Sequence, residues 1–102
     1  MTAPFQVTPL RPRSYRLSGE LDSSTADRLR EALAHDWGAP GDITLDLSAL
    51  TFLDSAGLHV LMDVCRALGP RGELILRAPS PEVDRVFEIA GIEQVDGLRV
   101  ER

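Results

Sequence analysis

The sequence predicts a small α/β domain: a mostly parallel β-sheet with an N-terminal hairpin, covered by helices, in one domain spanning residues 1–102. Three observations predict it. Two short strand-like runs open the chain, separated by Arg11-Pro12-Arg13. The apolar spacing then switches repeatedly between helical and strand periods. Each helical stretch begins near a serine and ends near a glycine, which marks starts and stops independently of the periodicity. Strands that alternate with helices imply parallel strands joined by crossovers.

The hairpin is Phe5 to Leu10 followed by Tyr15 to Leu21. Pro9 and Pro12 cannot donate to a ladder, which suits an edge strand and a turn. Ala26, Leu29, Leu33 and Trp37 then recur at helical spacing, and Ser24-Thr25-Ala26-Asp27 fits a capping box. Gly38-Ala39-Pro40-Gly41 ends that helix. Ile43, Leu45 and Leu47 alternate with Thr44, Asp46 and Ser48 as in a half-buried strand. From Ser55, an apolar stripe of Leu58, Leu61, Met62, Cys65 and Leu68 opposes His59, Asp63 and Arg66, and Gly69-Pro70 stops the second helix. Glu73 to Ala78 reads as a short buried strand. A third helix follows, with Ser80 as N-cap, Pro81 at its first position, Gly91 at its end, and Val83, Val86, Phe87 and Ala90 inward. Leu98 to Val100 supplies a last strand. The loops after Leu21, Leu53 and Ala78 leave the carboxyl ends of strands, where sites in open α/β folds tend to lie. Three helix starts, near Ser24, Ser55 and Ser80, are expected to meet there.

Composition narrows the function. The chain has 102 residues, 43% of them apolar, enough for one packed core. No apolar run approaches the ~20 residues of a membrane span, and the start lacks the order of a signal peptide. A single cysteine, Cys65, permits no intrachain disulfide, and its place on an apolar helix face reads as packing. One cysteine and two histidines do not make a usual structural zinc site, so no metal is expected. A reducing cytoplasm is the expected compartment. Net charge is −5, with all 11 basic residues arginine and interleaved with acids, so no direct nucleic-acid partner is expected. There is no glycine-rich phosphate loop, hence no cofactor.

The segment Leu53-Asp54-Ser55-Ala56-Gly57-Leu58-His59 carries the chemistry. A serine at a strand-to-helix junction is a preferred N-cap. Gly57 argues against a cap alone, since glycine in a first turn costs up to ~1 kcal/mol relative to alanine. Its missing side chain would let another backbone or molecule approach Ser55. A serine nucleophile is disfavoured: Leu53 stands where a nucleophile elbow has glycine, and no third group orients His59. A modified hydroxyl suits the position, because a phosphate there would lie at a helix N-terminus, where backbone amides favour an anion.

The segments at 17–29, 43–61 and 72–92, in this order and spacing, resemble the STAS domain, and more closely bacterial anti-sigma factor antagonists. The resemblance covers about residues 14–92. It implies a binding protein rather than an enzyme. The unmodified antagonist would bind an anti-sigma factor that is also a serine kinase, releasing a sigma factor. Phosphorylation of Ser55 would end the complex, and a serine phosphatase would restore it. Asp22, Ser23, Asp54, Ala56, Gly57 and His59 would shape the docking surface, although Asp22 and Ser23 equally suit helix capping. Ala56 leaves one hydroxyl in the motif, where some members have two. Family members usually carry a further C-terminal helix after the last strand. A sheet without it is expected to expose one face and favour a homodimer. The alternative is a STAS interaction subunit without a phospho-switch, for example in a lipid-transport assembly.

Overall fold

The computed structural model describes residues 4–102. Five strands form one sheet in the order β1-β2-β3-β4-β5. They are β1 (Gln6–Arg11), β2 (Ser14–Leu21), β3 (Ile43–Leu53), β4 (Leu74–Arg77) and β5 (Leu98–Glu101). The first two pair antiparallel, and every later pair is parallel. The crossovers hold α1 (Ala26–Leu33), α2 (Ser55–Leu68) and α3 (Pro81–Ala90). The hairpin and the α/β alternation thus agree with the sequence, each strand bound lying within a few residues of its expected place.

All three helices feed one core. Leu29 and Leu33 of α1, Val60, Leu61 and Val64 of α2, and Val83 and Phe87 of α3 are buried with Leu17, Leu45, Leu50 and Leu76 of the sheet. Each such side chain stabilises the fold by about 1.5–3 kcal/mol relative to leaving it in water. The helices cover one face of the sheet. The other carries polar side chains, including the Arg16–Asp46 and Arg99–Glu101 ion pairs.

β3 holds its apolar set inward by two irregularities. Its buried residues run Ile43, Leu45, Leu47, Leu50 and Leu53, spaced two, two, three and three apart. A strict two-residue period would have turned Leu50 outward. Instead the β2–β3 register shifts between Arg16 and Ser18 and again between Gly19 and Glu20, each time with an extra residue on β3. The Asp46 carboxylate accepts the Ser48 N–H at 2.9 Å at the first shift. The Thr51 hydroxyl donates to the Gly19 carbonyl at 3.0 Å at the second. In consequence Leu53 lies opposite Leu21, and the chain leaves both strands side by side.

Four local expectations are corrected. α1 ends at Leu33, and Trp37 lies beyond it, 37% exposed. The chain turns away because Asp36 is drawn inward by the Tyr15 hydroxyl, which donates to it, and by Arg13 at 3.5 Å. The capping box at Ser24 does not form. Thr25 occupies the N-cap without a side-chain cap bond, because its hydroxyl donates back to the Glu20 carbonyl at 2.8 Å. In α2 the buried stripe is Gly57, Val60, Leu61, Val64, Cys65 and Leu68, with Leu58 and Met62 at its margin. The entrance and exit of α3 match the reading: Ser80 accepts the Val83 N–H and Gly91 is left-handed, although Ala90 is exposed and Ile92 takes the inward place.

Candidate functional site

The site forms where β2 and β3 end together. Asp54, the residue after β3, is the N-cap of α2: its backbone is extended and its carboxylate accepts the Gly57 N–H at 3.1 Å. This corrects the reading of Ser55 as a cap. Aspartate and serine cap about equally well, and the register with β2 places the aspartate at the turn. Ser55 is therefore the first helical residue. It is exposed, and its hydroxyl makes no hydrogen bond among the described residues. The amides of Ser55 and Ala56 lie in the first turn, which has no preceding carbonyl to bond them within the helix.

Gly57 serves packing, not access from outside. It is buried, and a Cβ there would lie 2.6 Å from the Leu21 carbonyl oxygen and 2.6 Å from Leu53 Cδ1. The first turn of α2 rests directly on the end of β2. The molecule that approaches Gly57 closely is the protein's own backbone.

The loop after β2 is equally built. The Asp22 carboxylate accepts the Ser24 N–H at 2.9 Å and the Ser24 hydroxyl at 2.7 Å, while the Asp22 N–H donates to Thr25 Oγ1 at 2.9 Å. Bonds from Ser24, with help from Thr25, hold the Asp22 carboxyl below the usual carboxylate range. Asp22 thus shapes the loop, and Ser23 is left exposed at its tip.

Ser23, Ser55, Ala56 and His59 line one shallow depression of about 420 Å³ between α1 and α2, with Ala26, Asp27 and Arg30. Ser80 is not among its lining residues. β4 pairs only with Ile43 to Asp46, so it ends well short of the carboxyl end of β3. Ser80 sits part-way down, donating to the Leu50 carbonyl at 3.1 Å. Two of the three expected helix starts share the depression.

Arg30 was missed by sequence reasoning. Its guanidinium meets Asp63 of α2 at 2.8 Å and Asp27 at 3.7 Å. Arg66 also donates to Asp63, and His59 approaches it at 3.8 Å. Partial burial alone would raise the Asp63 carboxyl, but the bonds from Arg30 and Arg66 outweigh it and keep the group below the usual range. His59 makes no hydrogen bond to Ser55 among the described residues, so no serine–histidine pair is formed.

A larger cleft of about 720 Å³ lies at the opposite end of the sheet, with Arg66, Arg71, Asp42, Glu73 and Asp96 in its wall. Its charges are mixed, and Cys65 at its edge has a thiol pushed up by burial, a poor nucleophile. Among the described residues no cluster of histidine, cysteine and carboxylate side chains is placed to hold a metal, and no helix is long and apolar enough to cross a membrane.

The model of the STAS domain matches residues 7–100. The anti-sigma-B factor antagonist of Listeria monocytogenes is 33% identical over 81 residues, covering 78% of this chain and 71% of that protein. The unphosphorylated anti-sigma factor antagonist SpoIIAA superposes with a TM-score of 0.74 at 27% identity, over 97% of this chain and 89% of the other. The Bacillus cell fate determinant SpoIIAA in its phosphorylated form gives 0.67 at 25% identity, over 97% and 92%.

Proposed function

This chain belongs to the STAS-domain family, and within it we propose that it is an anti-sigma factor antagonist working by partner switching. It acts by binding and is not an enzyme. In its unmodified form it binds an anti-sigma factor, which then releases a sigma factor. The anti-sigma factor is also the serine kinase of this circuit. It transfers the γ-phosphoryl group of ATP to Ser55 Oγ, which loses its proton, and ADP leaves. A serine phosphatase hydrolyses the phosphoester with water and restores the binding form. The circuit is cytoplasmic.

One observation carries the reading: Asp54 caps α2, so the exposed Ser55 hydroxyl is free for another protein to modify. A phosphate there adds about −1.5 to −2 charges without breaking a cap. The surrounding docking surface is Asp22, Ser23, Asp54, Ala56 and His59; Gly57 contributes by letting α2 pack low against β2. Support comes also from the likeness to an antagonist solved in both unphosphorylated and phosphorylated forms. The sheet face opposite the helices, which no described helix covers, sets Arg16 beside Asp46 and Arg77 beside Glu101 and offers a self-complementary surface for a homodimer.

The test is incubation with ATP and the candidate kinase, read by intact mass, followed by calorimetry against the anti-sigma factor. One phosphate on the wild type, none on Ser55→Ala, and loss of binding on phosphorylation are expected. Unchanged affinity after complete phosphorylation would leave an interaction module without a switch.

A further inference from the structure

We propose that Arg30 is the intramolecular ligand of a phosphate on Ser55, its guanidinium leaving Asp63 and closing on the phosphoserine across the depression between α1 and α2. The inference rests on the reading of Ser55 as a phosphoacceptor. It adds a residue of the other helix to the switch.

Arg30 and Ser55 line the same depression, and Arg30 is the one arginine in its wall. A volume of about 420 Å³ leaves room for a phosphate between them. The Arg30 side chain is 38% exposed, so it has space to swing. It has two present partners of unequal strength. Asp27 lies at 3.7 Å and is 92% exposed, a solvent-screened contact of little strength. Asp63 is the closer partner, at 2.8 Å, and it is shared, since Arg66 and His59 also face it. When Arg30 departs, the Asp63 carboxylate keeps a cation beside it. A phosphate offers Arg30 more charge than either carboxylate and three acceptor oxygens suited to its planar fork. The exchange therefore runs from a shared carboxylate to an unshared dianion.

Phosphate capture by Arg30 draws the modified side chain over α1 and covers the exposed surface between Ser23 and His59. It also offsets the repulsion between the phosphate and the nearby Asp27 and Asp54. An aspartate at position 55 lacks the reach and the fork geometry of phosphoserine, so it mimics the charge without the closure.

The experiment uses the full chain with phosphoserine inserted at position 55 during synthesis, independently of any kinase. Phosphorus NMR titrations compare otherwise wild-type protein with Arg30→Gln and Arg30→Lys. Free phosphoserine takes its second proton near pH ~6. An arginine in contact lowers that value, and the expected shift between wild type and Arg30→Gln is about half a unit or more, with Arg30→Lys between them. The Arg30 Nε–H resonance of the wild type should also move on phosphorylation. Identical titrations in all three proteins, or an unmoved Arg30 resonance, would overturn the proposal. Circular dichroism checks the fold of each variant, and the Nε–H measurement needs no variant at all. Failure of the kinase to modify Ser55 is read separately, by mass, and would count against the switch itself rather than against the contact.

Discussion

The Asp54 carboxylate accepts the Gly57 N–H at 3.1 Å, and this bond frees Ser55 from capping. Both residues lie within one turn of the proposed phosphoacceptor, and each has a separate test. Asp54→Ala should destabilise the domain by about 1 kcal/mol, the usual worth of an N-cap. Asp54→Asn, which keeps an acceptor oxygen, should recover most of it. Urea denaturation of the three proteins measures the difference. Equal midpoints for wild type and Asp54→Ala would mean that another group caps α2.

Gly57→Ala should also destabilise, by about 1–3 kcal/mol, the range for overpacking a well-filled site. The backbone of Gly57 is not left-handed, so alanine's better helix propensity works in the opposite direction, by up to ~1 kcal/mol. The clash decides, because the Leu21 oxygen 2.6 Å from the added methyl belongs to β2 and cannot swing aside. Thermal denaturation settles the sign. A variant as stable as wild type would show that α2 can lift off β2 at no cost.

Ser55→Asp should weaken binding to the anti-sigma factor by about tenfold or more, ~1.4 kcal/mol, through the added charge beside Asp54. Its melting temperature should change little, since Ser55 is exposed and bonded to nothing among the described residues. Ser55→Ala should bind like wild type and resist the kinase. Calorimetry reads all three affinities. Equal values for wild type and Ser55→Asp would remove charge at this position as the switching agent.

Tyr15 gives a pH dependence whose sign is defined. Burial, the hydrogen bond to Asp36 and that residue's charge push its hydroxyl up to about 12, from an ordinary value of 10.0. The folded protein therefore holds this proton more tightly than the unfolded chain. The stabilisation is fully present below pH ~10 and is lost as pH rises through about 12. Tyr15 is the one tyrosine of the chain, so tyrosinate absorbance reports it directly. Tyr15→Phe should flatten the alkaline fall in stability over that window. An unshifted absorbance titration would contradict the Tyr15–Asp36 bond.

The sequence by itself determined the order of strands and helices, the hairpin turn at Pro12 and Arg13, the Ser80 cap with its Gly91 stop, and the strand-to-helix junction at Ser55. These are properties of short segments, set by apolar period and by residues that start or stop helices locally. Only the tertiary structure decided which of Asp54 and Ser55 caps α2. Both are chemically able to, and the choice depends on where β3 ends against β2, which two added residues in β3 adjust. The same holds for Gly57, whose neighbours Leu21 and Leu53 become neighbours only once the strands pair. It holds for Trp37 too, where helical spacing continues past a point at which Asp36 is pulled inward by Tyr15 and Arg13. Arg30 reaches the site by the packing of α1 on α2, across 25 residues of sequence from Ser55. Periodicity records which face of a segment is apolar, but the distance between two faces is set by everything packed beneath them.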